Sequence, residues 1–323
     1  MKAIVVAEFG GPQQLRLTDV AEPVPGPGEV RIAVHAAGTN PVDTSNRADG
    51  SWAGLKVPCI LGYEVAGTID RVGPGVTGLV PGDRVMAMTH FPDGAGGYAE
   101  LVVVAADQVA RIGPATSFVA AAATPVAAGT AATVLTRLAL APGSRLLVLG
   151  ASGGVGLFLL QLAAREGITT IAVGRQAMHE RMIRLGAASC IDYTSEDVAA
   201  RAMQLTDGGG TDGGVDAIAD LVGGSILASA VPALRPGAAI AAIETPQLDL
   251  DPLLDANITF HGVLLQNDGT RTRHLASLLD AGFLQPVISH TLPLSEAAQA
   301  HRILEQGHAG GKIVLTVAAD TRA

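Results

Sequence analysis

Residues 146–156 read LLVLGASGGVG, and this stretch decides the fold. Its aliphatic run predicts a buried strand, and the glycines after it predict a tight turn that opens a helix. Strand, turn and helix in this order are the context that a G-x-G-x-x-G dinucleotide fingerprint requires. Here Ala151 replaces the first glycine, whereas Gly153 and Gly156 are present. Glycine at 153 lets backbone approach a pyrophosphate, and the helix N-terminus supplies free N–H groups.

The region around this turn repeats the same alternation. Predicted apolar strands lie at 145–150, 168–173, 189–192, 215–221, 238–243 and 258–265. Helical periodicity between them predicts helices at about 154–166, 195–205 and 225–234, and one ending at Leu185. Continuous apolar strands with intervening helices predict an α/β, doubly wound parallel sheet over residues 123–265. A ligand-free turn, the alternative interpretation of residues 151–156, is the weaker one in this context.

Residues 1–122 have a different pattern, short β-rich runs separated by glycine and proline. The runs are 2–7, 15–20, 30–36, 65–72, 84–88 and 98–104. They predict a compact, mainly antiparallel β domain. Residues 266–323 carry helical stretches at 274–281 and 295–305 and a strand at 312–317. Because this tail is too short to fold alone, we expect it to join the first domain.

Composition excludes several classes of protein. The 323 residues contain 21 basic and 30 acidic side chains, a net charge of −9, so nucleic acid is not the expected partner. Residues 118–140 are mostly alanine and interrupted by Pro125, Gly129 and Arg137, which argues against a membrane span. The N-terminus lacks signal-peptide features, so a cytoplasmic location is expected. The two cysteines, Cys59 and Cys190, cannot form a cysteine-rich zinc site.

The residue after the second Rossmann strand indicates which cofactor is bound. An NAD site usually places an acidic residue about 20 positions after the first glycine, to bind the ribose 2′-hydroxyl. This chain has Gly174 and Arg175 there instead. An arginine favours a 2′-phosphate through charge-assisted hydrogen bonds, so NADPH is predicted over NADH. The alternative is that Arg175 is an ordinary solvated surface residue.

Several stretches, in order along nearly the whole chain, carry a resemblance to a known family. They are GTNPVD (38–43), LGYEVAG (61–67), GDRV (82–85), ASGGVG (151–156), DLVGG (220–224), AHR (300–302) and GKIVL (311–315). The chain resembles the medium-chain dehydrogenase/reductase superfamily, in its zinc-independent quinone oxidoreductase, ζ-crystallin-like branch. The resemblance implies a GroES-like catalytic domain over 1–122 and 266–323 and a Rossmann NADPH-binding domain over 123–265. It also implies a homodimer that pairs the edge strand 258–265 across a twofold axis.

The positions that match the zinc ligands of related alcohol dehydrogenases distinguish this branch. They are occupied by Asn40 and Tyr63, neither of which is a normal zinc ligand. Only the short stretch 89–97 lies where the four-cysteine structural zinc lobe would be inserted. No metal is therefore expected.

The resemblance also implies an activity and its catalytic residues. NADPH would transfer hydride to a quinone or to an alkene conjugated to a carbonyl. Asn40 and Asp43 would lie beside the nicotinamide, with Asn40 donating to a developing oxyanion. Tyr63 could donate a hydrogen bond or a proton to the acceptor oxygen. The alternatives are a loop-capping Asn40, an Asp43 that orients its loop and a Tyr63 buried in the core. Glu64 is expected to be structural.

Further cofactor and substrate contacts are implied by the same resemblance. The cofactor contacts are Thr124, Thr130, Ala151, Ser152, Gly153, Gly154, Val155, Gly156, Gly174, Arg175, His179, Tyr193, Leu221, Val222, Gly223, Leu265 and Lys312. Trp52 is the expected substrate contact, since it follows a stretch where Ser45 and Asn46 replace the tyrosines of relatives. Two other functions stay open at this point: an enoyl or enone reductase in a biosynthetic pathway, and a non-catalytic NADPH-binding sensor or structural protein.

Overall fold

The computed structural model describes residues 1–90, 95–206, 213–307 and 309–317, and it divides the chain into two compact units. The first unit comprises Met1–Gly129 and Gln266–Ala323, and the second comprises Thr130–Leu265. The boundary between Gly129 and Thr130 lies inside the continuous helix Pro125–Leu138, and the domain boundary expected at residue 122 stays a prediction. Part of the stretch 89–97, namely residues 91–94, lies outside the described residues.

The strands are, in chain order, β1 Lys2–Val6, β2 Leu15–Asp19, β3 Glu29–Gly38, β4 Cys59–Ile60, β5 Glu64–Val72, β6 Arg84–Met88, β7 Leu101–Ala105, β8 Val109–Arg111, β9 Arg145–Leu149, β10 Thr169–Val173, β11 Ser189–Ile191, β12 Val215–Asp220, β13 Leu234–Ala242, β14 Thr259–Gly262, β15 Ile288–Pro293 and β16 Lys312–Thr316. The α-helices are α1 Pro41–Asp49, α2 Phe118–Ala122, α3 Pro125–Leu138, α4 Gly154–Arg165, α5 His179–Arg184, α6 Val198–Thr206, α7 Ile226–Ala230, α8 Asp251–Asp255, α9 Gly269–Asp280 and α10 Ala297–Gln306. Within the described part of the chain, no helix is long and apolar enough to cross a membrane.

The first unit is built on a seven-stranded sheet of order β15-β16-β3-β5-β6-β8, with β7 also paired to β3. A smaller sheet has the order β2-β1-β4. The C-terminal strand β16 lies between β15, to which it is parallel, and β3, to which it is antiparallel. One core contains Ile32 and Val65 together with Ile313 and Leu315. The C-terminal segment is therefore an internal part of this unit.

The second unit contains one parallel sheet of six strands in the order β11-β10-β9-β12-β13-β14. Strands β9 to β11 are added toward one edge of the sheet and β12 to β14 toward the other, so the strand order reverses between β9 and β12. The last residues of these two strands, Leu149 and Asp220, are paired. In such sheets ligands bind at the carboxyl ends of the strands, at this switch point. The nucleotide site is therefore expected at the turns that follow Leu149 and Asp220.

Candidate active site

The turn after β9 has the geometry of an anion cradle. Gly150 adopts a left-handed conformation, with φ +75°, and Gly153 caps the N-terminus of α4. The residue that needs glycine for its backbone is thus Gly150, and the side chain of Ala151 fits at no conformational cost. A Cβ at Gly156 would lie 2.6 Å from the Cα and O atoms of Ala151, so only glycine lets the helix pack this closely on the turn. The N–H groups of residues 154–156 have no acceptor within the helix and can bind a pyrophosphate.

The predicted adenosine-side residues lie in and around the loop after β10. Gly174 lies against the turn, since a Cβ there would be 3.5 Å from Cβ of Ser152. Arg175 Nε donates a hydrogen bond of 3.1 Å to the hydroxyl of Tyr193, and both side chains are exposed. His179 Nε2 lies 3.1 Å from the carbonyl oxygen of Gly174. The structure therefore brings these five predicted residues together, and it uses one ring nitrogen of His179 to hold the loop.

The turn after β12 completes this group, and Asp220 at the end of β12 is a residue that sequence reasoning missed. Val222 Cγ2 lies 2.7 Å from the position of a Cβ on Gly150. The buried Asp220 accepts the backbone N–H groups of Val222 and Gly223 at Oδ1, each at 3.0 Å. Its Oδ2 is buried and has no hydrogen-bond partner among the described residues. An unsatisfied acceptor beside a backbone anion cradle fits a nucleotide, which brings both phosphates and hydroxyl donors.

Thr124, Thr130 and Leu265 are further cofactor predictions. Thr124 is buried in the first unit, and its hydroxyl donates to the carbonyl of Ala120 at 2.8 Å. Thr130 lies within α3, at the start of the second unit. Leu265 is the last residue of the second unit and is buried. Their roles toward a cofactor stay predictions.

In the first unit, a buried ion pair surrounds Asn40. Lys312 Nζ donates to Glu64 Oε1 at 2.7 Å, to Asn40 Oδ1 at 2.5 Å and to the Thr39 carbonyl at 2.8 Å. Glu64 is fully buried and also accepts from Asn40 Nδ2 at 2.9 Å and from the Val126 N–H at 2.8 Å. An ammonium group has three N–H bonds, and here all three are used within the protein. The Lys312 ammonium group is therefore fully hydrogen-bonded within the protein, and its role toward a cofactor stays a prediction.

This network fixes the orientation of the Asn40 amide. Lys312 can only donate, so the amide oxygen must face it, and Nδ2 must then face Glu64. Among the described residues, Glu64 is the one acceptor of Asn40 Nδ2, and the second N–H of this amide has none. Glu64, expected to be structural, therefore positions the group predicted to donate to an oxyanion.

Asp43 and Tyr63 are also buried in this unit. Asp43, in the first turn of α1, accepts the N–H of Asn40 at 2.9 Å and the N–H of Gly62 at 3.0 Å. The Tyr63 hydroxyl accepts from Asn46 Nδ2 at 2.7 Å. Burial, with Asp43 and Cys59 nearby, raises the pKa of the Tyr63 phenol, which keeps its proton at neutral pH. The structure thus places Asn40, Asp43 and Tyr63 on adjoining segments.

Asn46 links Tyr63 to the segment that bears the predicted substrate contact. Its Oδ1 accepts the N–H of Ala53 at 3.1 Å, next to Trp52, whose side chain is about half exposed. Sequence reasoning noted Asn46 only as a departure from relatives and assigned it no contact. A polar residue one helical turn after Asp43 is the signal that could have identified it.

Comparison with known proteins agrees with this architecture. An alcohol dehydrogenase GroES-like domain model matches residues 26–114, and a zinc-binding dehydrogenase model matches residues 185–315. The quinone oxidoreductase of Mus musculus is 32% identical over 327 residues, which cover 98% of this chain and 97% of that protein. This chain belongs to the medium-chain dehydrogenase/reductase superfamily and is quinone oxidoreductase-like. The sequence-based predictions of the family and the fold class are confirmed.

Two further relatives of this medium-chain reductase bear on the cofactor. A mitochondrial NAD(P)H oxidoreductase of Mus musculus is 31% identical over 361 residues, covering 98% of this chain and 89% of that protein. A mycobacterial protein whose structure was solved in complex with NADPH is 29% identical to this chain, with a TM-score of 0.85. The match covers 98% of this chain and 100% of that protein. The protein is therefore an NAD(P)H-dependent oxidoreductase. Among the described residues there is no cluster of three or more histidine, cysteine, aspartate or glutamate side chains that could hold a metal.

Proposed function

We propose that this protein transfers hydride from NADPH to a quinone or a similar conjugated carbonyl acceptor without a catalytic zinc ion. The observation that carries the proposal is that hydrogen bonds fix the side chains of Asn40 and Tyr63. The Asn40 amide is held by Lys312 and Glu64, and the Tyr63 hydroxyl is held by Asn46. Asn40 and Tyr63, which the family resemblance matches to the zinc-ligand positions of relatives, would then act as two neutral donors in place of a metal ion. Such donors can stabilise an oxyanion, which quinones and enones form readily.

Residues of both units would have roles in binding the cofactor and in stabilising the oxyanion. The bound nicotinamide would supply the hydride. Backbone N–H groups at residues 154–156 would bind the pyrophosphate of NADPH. The Asn40 Nδ2–H would donate to the acceptor oxygen as negative charge develops on it. Tyr63, protonated at neutral pH, would be the second donor.

Turnover of a panel of acceptors tests this proposal. NADPH oxidation should be fast with 1,4-benzoquinone and 1,4-naphthoquinone, and it should survive exhaustive EDTA dialysis. Turnover of 2-cyclohexen-1-one but not of quinones would support the enone reductase alternative instead. Activity lost on chelation and restored by zinc would contradict the zinc-independent mechanism.

We also propose that NADPH is preferred over NADH. The support is Arg175, which follows β10 where an NAD site would have a carboxylate, together with its hydrogen bond to Tyr193, which follows β11. The exposed guanidinium of Arg175 can form bidentate hydrogen bonds to a 2′-phosphate. A cytoplasmic location stays a prediction, because the relatives include a protein named as mitochondrial.

A homodimer through the edge strand is the expected assembly. β14 is the last strand of the six-stranded sheet, and Phe260 and Leu264 are 42% and 50% exposed. Unpaired apolar edges are usually covered, here by a second copy of the chain. Light scattering should give twice the 32.6 kDa of one chain. The variant Phe260→Lys should shift the mass toward one chain, whereas a monomeric mass for the unmodified protein would contradict the dimer.

A further inference from the structure

A chain of buried polar side chains leads to Asp43 from residues to which sequence reasoning gave no role. Arg47 Nη1 lies 3.2 Å from His301 Nδ1, and His301 Nε2 lies 3.4 Å from the Tyr98 hydroxyl. Tyr98 is the next residue in this series, because its hydroxyl acts through a side-chain hydrogen bond to lower the pKa of Asp43. All four side chains are buried, and Arg47 is anchored by the Gly10 carbonyl at 2.8 Å and by a partly exposed Glu305.

The hydrogen bonds in this series of side chains all run in one direction, from Arg47 toward Asp43. A guanidinium has no acceptor, so Arg47 donates and His301 Nδ1 accepts. Burial and the Arg47 charge lower the pKa of His301 to about 3, so its ring is neutral and its single proton is on Nε2. That N–H faces the oxygen of Tyr98, which leaves the phenolic proton for the Asp43 carboxylate. Each link therefore sets the direction of the next.

Asp43 connects these hydrogen-bonded side chains to Asn40 and Tyr63. Its two oxygens accept the backbone N–H groups of Asn40 and Gly62, and Gly62 directly precedes Tyr63. Tyr98 also packs on Gly62, where an added Cβ would lie 2.4 Å from the ring carbon Cδ1. The carboxylate thus ties the start of α1 to the segment that carries Tyr63.

We propose that Arg47, His301 and Tyr98 are positioning residues for the reaction, because their one-directional donor chain fixes Asp43, which in turn holds Asn40 and Tyr63. This inference rests on the function proposed for Asn40. It adds three residues, from α1, α10 and the segment before β7, to the two donors already described.

The charged and polar groups around Asp43 determine the pKa of its carboxyl group and so the pH dependence of kcat/KM. Lys312 on β16, Tyr63 and Tyr98 interact electrostatically with the Asp43 carboxyl group. Burial raises the pKa of Asp43 to about 7, although the Tyr98 hydrogen bond and Lys312 act to lower it. If the carboxylate form positions the site, kcat/KM rises with pH through about 7. Loss of the Tyr98 donor raises this pKa further and moves the acid limb to higher pH.

The tautomer of His301 tests the donor chain without any substrate. In protein labelled with ¹⁵N-histidine, the signal absent from His301→Gln identifies this ring among the eight histidines. We expect a neutral ring with its proton on Nε2 from pH 5 to pH 8. A proton on Nδ1, or a cationic ring in that range, would overturn the proposal even if variants failed to fold.

Kinetics of matched variants test the positioning role. His301→Leu and Tyr98→Phe should lower kcat/KM about tenfold or more and shift the acid limb upward by about one pH unit. Glutamine can accept from Arg47 and donate to Tyr98, so His301→Gln should stay within about threefold of the wild type. His290→Leu, at an exposed histidine, is the control and should change nothing.

Wild-type kcat/KM and an unshifted acid limb in both His301→Leu and Tyr98→Phe would overturn the positioning role. If no acceptor is turned over by the wild type, the proposed function fails. The histidine tautomer, together with the titration of Asp43 in ¹³C-aspartate-labelled wild type and Tyr98→Phe, still decides the donor chain.

Discussion

Replacing Glu64 by leucine is expected to lower the free energy of unfolding by about 3–5 kcal/mol. The substitution leaves the Lys312 ammonium, whose side chain is 5% exposed, in the core without its carboxylate partner. It also removes the acceptor of the Val126 N–H and of the Asn40 amide. Chemical denaturation followed by circular dichroism measures the loss, and kcat/KM is expected to fall by about a hundredfold because the oxyanion donor is no longer held.

A double variant separates stability from positioning. Glu64→Leu combined with Lys312→Met replaces the buried pair by apolar side chains of similar size, a change that is often neutral for stability. Most of the lost stability should return, whereas activity should stay low because Asn40 has lost both partners. Recovery of activity along with stability would show that the pair does not orient Asn40.

The exposed ion pair between Lys2 and Asp19 provides the matched control. Its atoms are 2.6 Å apart, but the two side chains are 49% and 76% exposed. Surface pairs contribute between zero and about 1 kcal/mol, so Lys2→Met should cost less than that. A Glu64→Leu loss as small as the control's would contradict the buried-pair account.

The nucleotide-binding unit could be predicted from sequence because its signals are local. Strand β9 is predicted at 145–150 and observed at Arg145–Leu149, and α4 is predicted from Gly154 and observed there. Hydrophobic runs, glycines and helix ends all lie within a few residues of each other in the chain. The replacement of a fingerprint glycine by Ala151 is explained only by the structure, which shows that Gly150 has the left-handed conformation.

The Asn40 site could be predicted only in part. The resemblance named Asn40, Asp43 and Tyr63, but the residues that hold them are distant in sequence: Lys312 is 272 positions from Asn40, and His301 is 203 positions from Tyr98. Such contacts depend on the pairing of β16 with β3, and no local pattern encodes that pairing. Helix α1, in contrast, has a local sequence signal at its N-terminus. Asn at the N-cap, Pro41 next and Asp43 in the first turn are typical of a helix start.

Removing the Arg175 side chain should have the largest effect on cofactor choice. Arg175→Ala is expected to lower kcat/KM for NADPH by about ten- to a hundredfold and to leave the value for NADH within about threefold. Hydrogen bonds to a charged group contribute about 1.5–3 kcal/mol, and only NADPH has the 2′-phosphate that the guanidinium would bind. Initial rates with both cofactors at a fixed quinone concentration measure the ratio.

Tyr193→Phe is the control that distinguishes charge from orientation. The Tyr193 hydroxyl accepts from Arg175 Nε at 3.1 Å, so its loss leaves the charge in place and frees the guanidinium to rotate. Because the attraction between guanidinium and phosphate survives, the NADPH preference should fall by no more than about fivefold. Equal use of NADH and NADPH by the wild type, or an unchanged preference in Arg175→Ala, would mean that Arg175 is a solvated surface residue.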